Sequence, residues 1–146
     1  MAIKEIIPQE AYDLLQKEKE SVYIDVRTVG EFLAGHPQAA VNIPVAFPEA
    51  GQGMRLNDEF VRVVESHFSK NKKIIVGCQA GPRSDAAARL LEQAGYQDVS
   101  SMRGGFGGMR DSFGRVIAPG WSNLGLPVSQ DNGEGVSYES LAAKVK

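Results

Sequence analysis

The stretch Lys72-Lys73-Ile74-Ile75-Val76-Gly77-Cys78-Gln79-Ala80-Gly81-Pro82-Arg83-Ser84 decides how the chain is read. Ile74, Ile75 and Val76 form a β-branched run between charge and glycine, the pattern of a short buried strand. Beyond Ser84, Ala86-Ala87-Ala88-Arg89-Leu90-Leu91-Glu92-Gln93-Ala94 is built of strong helix formers, and Gly95 supplies a stop. Cys78 is therefore expected at the C-terminal end of a strand, ahead of a helix N-terminus. The unpaired N–H groups and partial positive charge of such a terminus favour an anion. Arg83 adds a cation, so a thiolate is the expected form of Cys78. Gly81 and Pro82 let the backbone turn tightly while its N–H groups point inward, as in an anion-binding nest. A lone cysteine is more often a small buried hydrophobe, but the features converging on this sulfur argue for a nucleophile.

Further segments carry a resemblance. Val22-Tyr23-Ile24-Asp25-Val26-Arg27 is followed by Glu31-Phe32, Gly35-His36 and Val41-Asn42-Ile43-Pro44; later come Gly95-Tyr96-Gln97-Asp98-Val99 and Gly104-Gly105-Phe106. In order and spacing, over most of residues 3–128, these and the cysteine loop resemble the rhodanese family of sulfurtransferases. The resemblance implies an α/β fold, a three-layer domain with a five-stranded parallel sheet flanked by helices. It also implies a persulfide on Cys78, cradled by Gln79, Ala80, Gly81, Pro82, Arg83 and Ser84. The reaction would be of the thiosulfate sulfurtransferase type, with a small anionic sulfur donor such as thiosulfate and a thiophilic acceptor such as cyanide or a thiol. No cofactor is implied, and a sulfur-relay protein is a candidate partner. Two places depart from the family pattern. Gly35-His36-Pro37-Gln38-Ala39-Ala40 replaces the usual Gly-His-Ile-Pro-Gly-Ala, and Met109 stands where a tryptophan is common, leaving Trp121 as the only one.

Loop length separates the enzyme readings. Only Gln79, Ala80, Gly81 and Pro82 stand between Cys78 and Arg83, one residue fewer than in related phosphatase loops. A phosphate needs a ring wide enough for its oxygens and an arginine fork to clamp them, whereas the shorter loop suits one sulfur atom. A phosphatase or arsenate reductase is thus disfavoured. A non-catalytic binding or regulatory module is the other alternative, although such modules normally lose the cysteine.

Composition bounds the rest. With 146 residues, 42% of them hydrophobic and 23% charged, the chain suits an ordinary globular domain. Its net charge of −2 offers no electrostatic footprint for nucleic acid. A single cysteine excludes an intrachain disulfide and, with two histidines, leaves no plausible zinc cluster, so no metal is expected. Met1-Ala2-Ile3-Lys4-Glu5 lacks the basic and apolar regions of a signal peptide, and no run approaches membrane-spanning length. The expectation is a cytoplasmic protein with no membrane partner.

In chain order, Pro8 opens an amphipathic helix with Ala11, Leu14 and Leu15 on one face. Residues 22–26 read as a strand, and Thr28 with Glu31 is a capping-box pattern. Arg27 falls at that strand-to-helix junction. In an open parallel sheet ligands bind beyond the carboxyl ends of the strands, so Arg27 and Arg103 are candidate pocket walls. For Asp25 and Arg27 a supporting ion pair is preferred to a catalytic role. Residues 47–56, holding Pro48, Gly51 and Gly53, read as a surface loop. Asn57 is expected to cap a helix whose Phe60, Val63, Val64 and Phe68 face the core, with His67 partly buried and hydrogen-bonded. His36 is expected to be structural. Residues 99–102 read as the last strand, and the glycine run after Arg103 as a close turn near the cysteine. Trp121 is expected to pack. Residues 1–128 form the expected domain, and residues 129–146 a polar linker and terminal helix docked on it.

Overall fold

The computed structural model describes residues 4–51, 53–80 and 82–145. In chain order the elements are β1 (Lys4–Ile6), α1 (Pro8–Lys17), β2 (Val22–Asp25), α2 (Val29–Ala34), β3 (His36–Pro37), β4 (Ala40–Asn42), β5 (Ala46–Glu49), β6 (Gly53–Leu56), α3 (Phe60–His67), β7 (Lys73–Gly77), α4 (Pro82–Gln93), β8 (Asp98–Met102), β9 (Met109–Arg110), β10 (Val116–Ala118), β11 (Val128–Ser129) and α5 (Tyr138–Ala142). Five strands make one parallel sheet in the order β1-β8-β7-β2-β4. This is the expected α/β architecture.

Because side chains alternate along a strand, the sheet feeds two cores. Ile24, Ile74 and Val76 pack with Phe60, Val63 and Val64 of α3 and with Ala87, Ala88 and Leu91 of α4. Tyr23 and Ile75 point to the other face, against Ala11 of α1, Phe32 of α2 and Trp121. Both faces of β2 and β7 are covered, as a parallel sheet requires. In the β2–β7 register Asp25 lies beside Gly77, so the residues after β2 and β7 meet at one edge.

Several local expectations hold for the expected reasons. Pro8 is the first residue of α1, and Ile7 offers no side-chain cap. At α2 the Thr28 hydroxyl accepts from Glu31 N, and Glu31 Oε1 accepts in return from Thr28 N. Trp121 is buried, donates to Pro127 O at 2.7 Å and packs edge-on against Tyr12. His36 is buried, stacked on Phe32, with a carbonyl oxygen at each ring nitrogen. His67 Nε2 lies 2.8 Å from Leu141 O.

Three expectations are corrected. Residues 47–56 are not a loop: β5 and β6 form an antiparallel hairpin pairing Phe47 with Arg55 and Pro48 with Met54. Gly51 and Gly53 turn it at positive φ, and β6 is exposed at every residue, so no apolar alternation marks it in the sequence. Asn57 does not cap α3. Its Oδ1 accepts from the N–H of Glu59, which holds the cap position, and its Nδ2 reaches Pro44 O and the Tyr138 hydroxyl. Finally, α4 begins at Pro82, earlier than the alanine run, because proline at a first helical position lacks only an N–H that has no helical acceptor. Arg83 and Ser84 therefore belong to the first turn of α4.

Candidate active site

Cys78 follows the last residue of β7 and precedes α4 by the short Gln79, Ala80, Gly81 segment, of which Gly81 lies outside the described residues. Cys78 is buried. The backbone around it is clamped from behind. Phe106 N donates to Cys78 O at 2.7 Å and Gly107 N to Gln79 O at 3.0 Å. A Cβ on Gly105 would stand 2.4 Å from Cys78 O and 2.6 Å from Gln79 C, and one on Gly107 would stand 1.9 Å from Gln79 Nε2. The glycines after Arg103 thus serve backbone-to-backbone approach, and the turn near the cysteine is a clamp. Behind β7, the Tyr23 side chain fills the space a Cβ on Gly77 would need. Burial, then the charge on Asp25, holds the Tyr23 phenol well above its ordinary range.

Arg27 anchors the loop from below. Its guanidinium is buried and donates to both carboxylate oxygens of Asp25, at 2.7–3.1 Å, to Gly35 O at 2.7 Å and to Gln79 Oε1 at 3.1 Å. It also lies over the Phe106 ring, 4.5 Å from the centroid. Asn42 Nδ2 donates to the carbonyl oxygens of Asp25 and Arg27, holding the strand end. Arg27 therefore reaches the loop through Gln79, in the supporting role that its pairing with Asp25 favours.

Arg83 is placed differently. Its two terminal nitrogens donate to the two carboxylate oxygens of Glu31 at 2.7 and 3.0 Å. The hydrogen bond it donates to Glu31, followed by smaller contributions from the charges on Glu31, Cys78 and Asp25, raises the Arg83 guanidinium against the opposing effect of burial. Burial works against the Glu31 carboxylate too, but the Arg83 hydrogen bond, the Thr28 bonds and the Arg83 charge outweigh it and hold Glu31 at about 2. The rim cation expected at Arg83 is thus neutralised where it stands.

The remaining candidates separate. Gln79 and Pro82 are exposed and Ala80 half-buried at the loop surface. The buried Ser84 hydroxyl lies 2.8 Å from that of Ser101, which in turn donates to Asp85, joining the first turn of α4 to β8. Arg103 is exposed and lines a separate apolar cavity with Ile7, Ile117, Pro119 and Leu124, none of them a loop residue. Glu31 and Phe106 complete the arrangement and were visible in sequence only as a cap residue and a motif position. Their partners, Arg83 for Glu31 and Cys78 and Arg27 for Phe106, lie far away in the chain, which local pattern does not encode. Among the described residues no cluster of His, Cys, Asp and Glu side chains suits a metal ion.

Comparison with known proteins agrees with this fold. The rhodanese-like domain family matches residues 7–111. The chain is 38% identical over 117 residues to thiosulfate sulfurtransferase 16, chloroplastic, of Arabidopsis thaliana, covering 80% of this chain and 85% of that one. It spans about half the length of some curated relatives: senescence-associated protein DIN1 of Raphanus sativus is 44% identical over 84 residues, 58% of this chain and 45% of that one. Among solved structures, Rv0390 from M. tuberculosis superposes with a TM-score of 0.73 at 26% identity, over 90% of this chain and all of that one. With a match spanning most of its length, the chain belongs to the rhodanese-like domain family.

Proposed function

We propose that this protein is a thiosulfate sulfurtransferase that carries sulfane sulfur on Cys78. The observation that carries the reading is the placement of Cys78 between the end of β7 and the first turn of α4, on a backbone clamped by Phe106 and Gly107. The Cys78 thiolate attacks the outer sulfur of thiosulfate. A Cys78 S–S bond forms, the donor's S–S bond breaks, and sulfite leaves with the electron pair. The outer sulfur of the persulfide is anionic, and the positive end of α4 with the loop N–H groups stabilises it as an oxyanion hole stabilises oxygen. An acceptor such as cyanide or a thiol then takes that sulfur and returns the thiolate. The support is the retained cysteine, the short loop and the relatives named for this activity. The reading places the reaction in the cytoplasm, where thiols are kept reduced and serve as acceptors.

Intact-protein mass before and after thiosulfate tests it. Wild type gains one sulfur atom, cyanide removes it, and Cys78→Ser gains none while unfolding near the wild-type midpoint. Sulfur transfer by Cys78→Ser ends the assignment.

A further inference from the structure

Three arginines near the mouth of the site are each matched by a carboxylate. Arg27 is held by Asp25, Arg83 by Glu31, and Arg55 of the β5–β6 hairpin by Glu49 at 3.3 Å. Between α2, α4 and that hairpin lies a shallow cavity of about 460 Å³ lined by Thr28, Glu31, Pro48, Met54 and Arg83. Among its described lining residues the only cation is Arg83, both of whose terminal nitrogens donate to Glu31, and its other walls include the apolar side chains of Pro48 and Met54. Glu31 cannot swing away cheaply, because Thr28 N and Thr28 Oγ1 both donate to its Oε1, at 3.0 and 3.1 Å.

A dianion such as thiosulfate approaching a thiolate needs an uncompensated cation to offset repulsion between like charges. The described residues lining this cavity supply none. We propose that Glu31 tunes donor preference: by neutralising Arg83 it raises the KM for doubly charged donors such as thiosulfate without preventing their use, and so favours, relative to them, sulfane-sulfur donors that carry one charge and an apolar group, of the organic thiosulfonate or persulfide class. The inference rests on the Cys78 persulfide reading. Chemistry at sulfur is the same for both donor classes: Cys78 attacks the sulfane sulfur, the donor's bond to that sulfur breaks, and sulfite, sulfinate or thiolate departs with the electron pair. Glu31 touches none of these atoms and acts through Arg83 as a positioning residue.

The test compares thiosulfate, a dianion, with benzenethiosulfonate, a monoanion bearing an aryl group, in steady-state kinetics of wild type and Glu31→Gln. Glutamine at this position still accepts from Thr28, so the start of α2 is retained. In Glu31→Gln the KM for thiosulfate falls by about three- to ten-fold with kcat little changed, while that for benzenethiosulfonate moves by less than about two-fold. Added salt erodes the gain with thiosulfate, as released charge requires. In the double variant Glu31→Gln, Arg83→Gln the gain disappears. An equal change for both donors, a thiosulfate KM that does not fall, or a gain that survives removal of Arg83 overturns the inference while leaving the persulfide reading intact. Wild-type Cys78 that takes no sulfur from either donor overturns both.

Discussion

Two arginine–carboxylate pairs flank the same cysteine, and they differ mainly in burial. Arg27 and Asp25 keep 3% and 1% of their side-chain surface, whereas Arg83 and Glu31 keep 24% and 33%. Both arginines meet their carboxylate in a bidentate fork. Taking two charges out of water leaves each dependent on the other, so the buried pair is a scaffold: removing one partner strands the second in a low-dielectric interior. Arg27 also spends its remaining donors on Gly35 and Gln79, tying the strand end to the cysteine loop. The outer pair is partly hydrated, contributes less to stability, and acts instead on the charge a ligand meets. Identical chemistry gives a support in one place and a selector in the other.

The largest effect should come from breaking the inner pair. Arg27→Met leaves Asp25 buried and unpaired and should cost about 3–5 kcal/mol in urea unfolding, with persulfide formation falling as Gln79 loses its anchor. A loss below about 1 kcal/mol would contradict the scaffold role. Next is the clamp that the inner pair supports. Gly105→Ala adds a Cβ at φ +59 against Cys78 O and Gln79, and should cost about 2–4 kcal/mol while slowing transfer. Wild-type stability and rate in that variant would mean that the clamp yields freely.

The outer pair should give a smaller, pH-dependent effect. Glu31 is held at about 2 against an ordinary 4.5, a depressed carboxylate, so its stabilisation is present above about pH 4.5 and is lost as pH falls toward 2. That shift corresponds to about 3 kcal/mol, which solvent screening at a side chain one-third exposed reduces to about 1–2 kcal/mol. Glu31→Gln should therefore unfold more easily than wild type by that amount at pH 7, and the two stability curves should converge between pH 4.5 and 2. A gap that stays constant down to pH 2 rules out the ion pair as its source. The smallest effect sharpens the trend: Arg62, paired to Glu59 with both side chains 56% exposed, should change stability by under about 0.5 kcal/mol when replaced by alanine.

Much of the fold is legible where local physics suffices. The β-branched run ending at Cys78, the proline opening α1 and the Thr28–Glu31 capping box all become the elements their composition dictates. Elements that exist only through distant pairing are not legible. β1, three residues at the sheet edge, is held by its register with β8, and its sequence carries no apolar run. The β5–β6 hairpin exposes one whole strand and so lacks the alternation that burial imposes. At the site, the place of Cys78 between a strand end and a helix was readable, but the contact of the Ser84 hydroxyl with Ser101, the place of Arg103 at another cavity and the capture of Arg83 by Glu31 were not.

By itself, then, the sequence determined the strand–cysteine–helix junction, because turn chemistry and helix propensity act over a few neighbouring residues, and the family, because its motifs recur in order along the chain. Only the tertiary structure decided which charges near Cys78 are free to meet a ligand. That question turns on whether carboxylates 52 residues away in the chain come within hydrogen-bonding distance, and the packing of α2 against the start of α4 settles it.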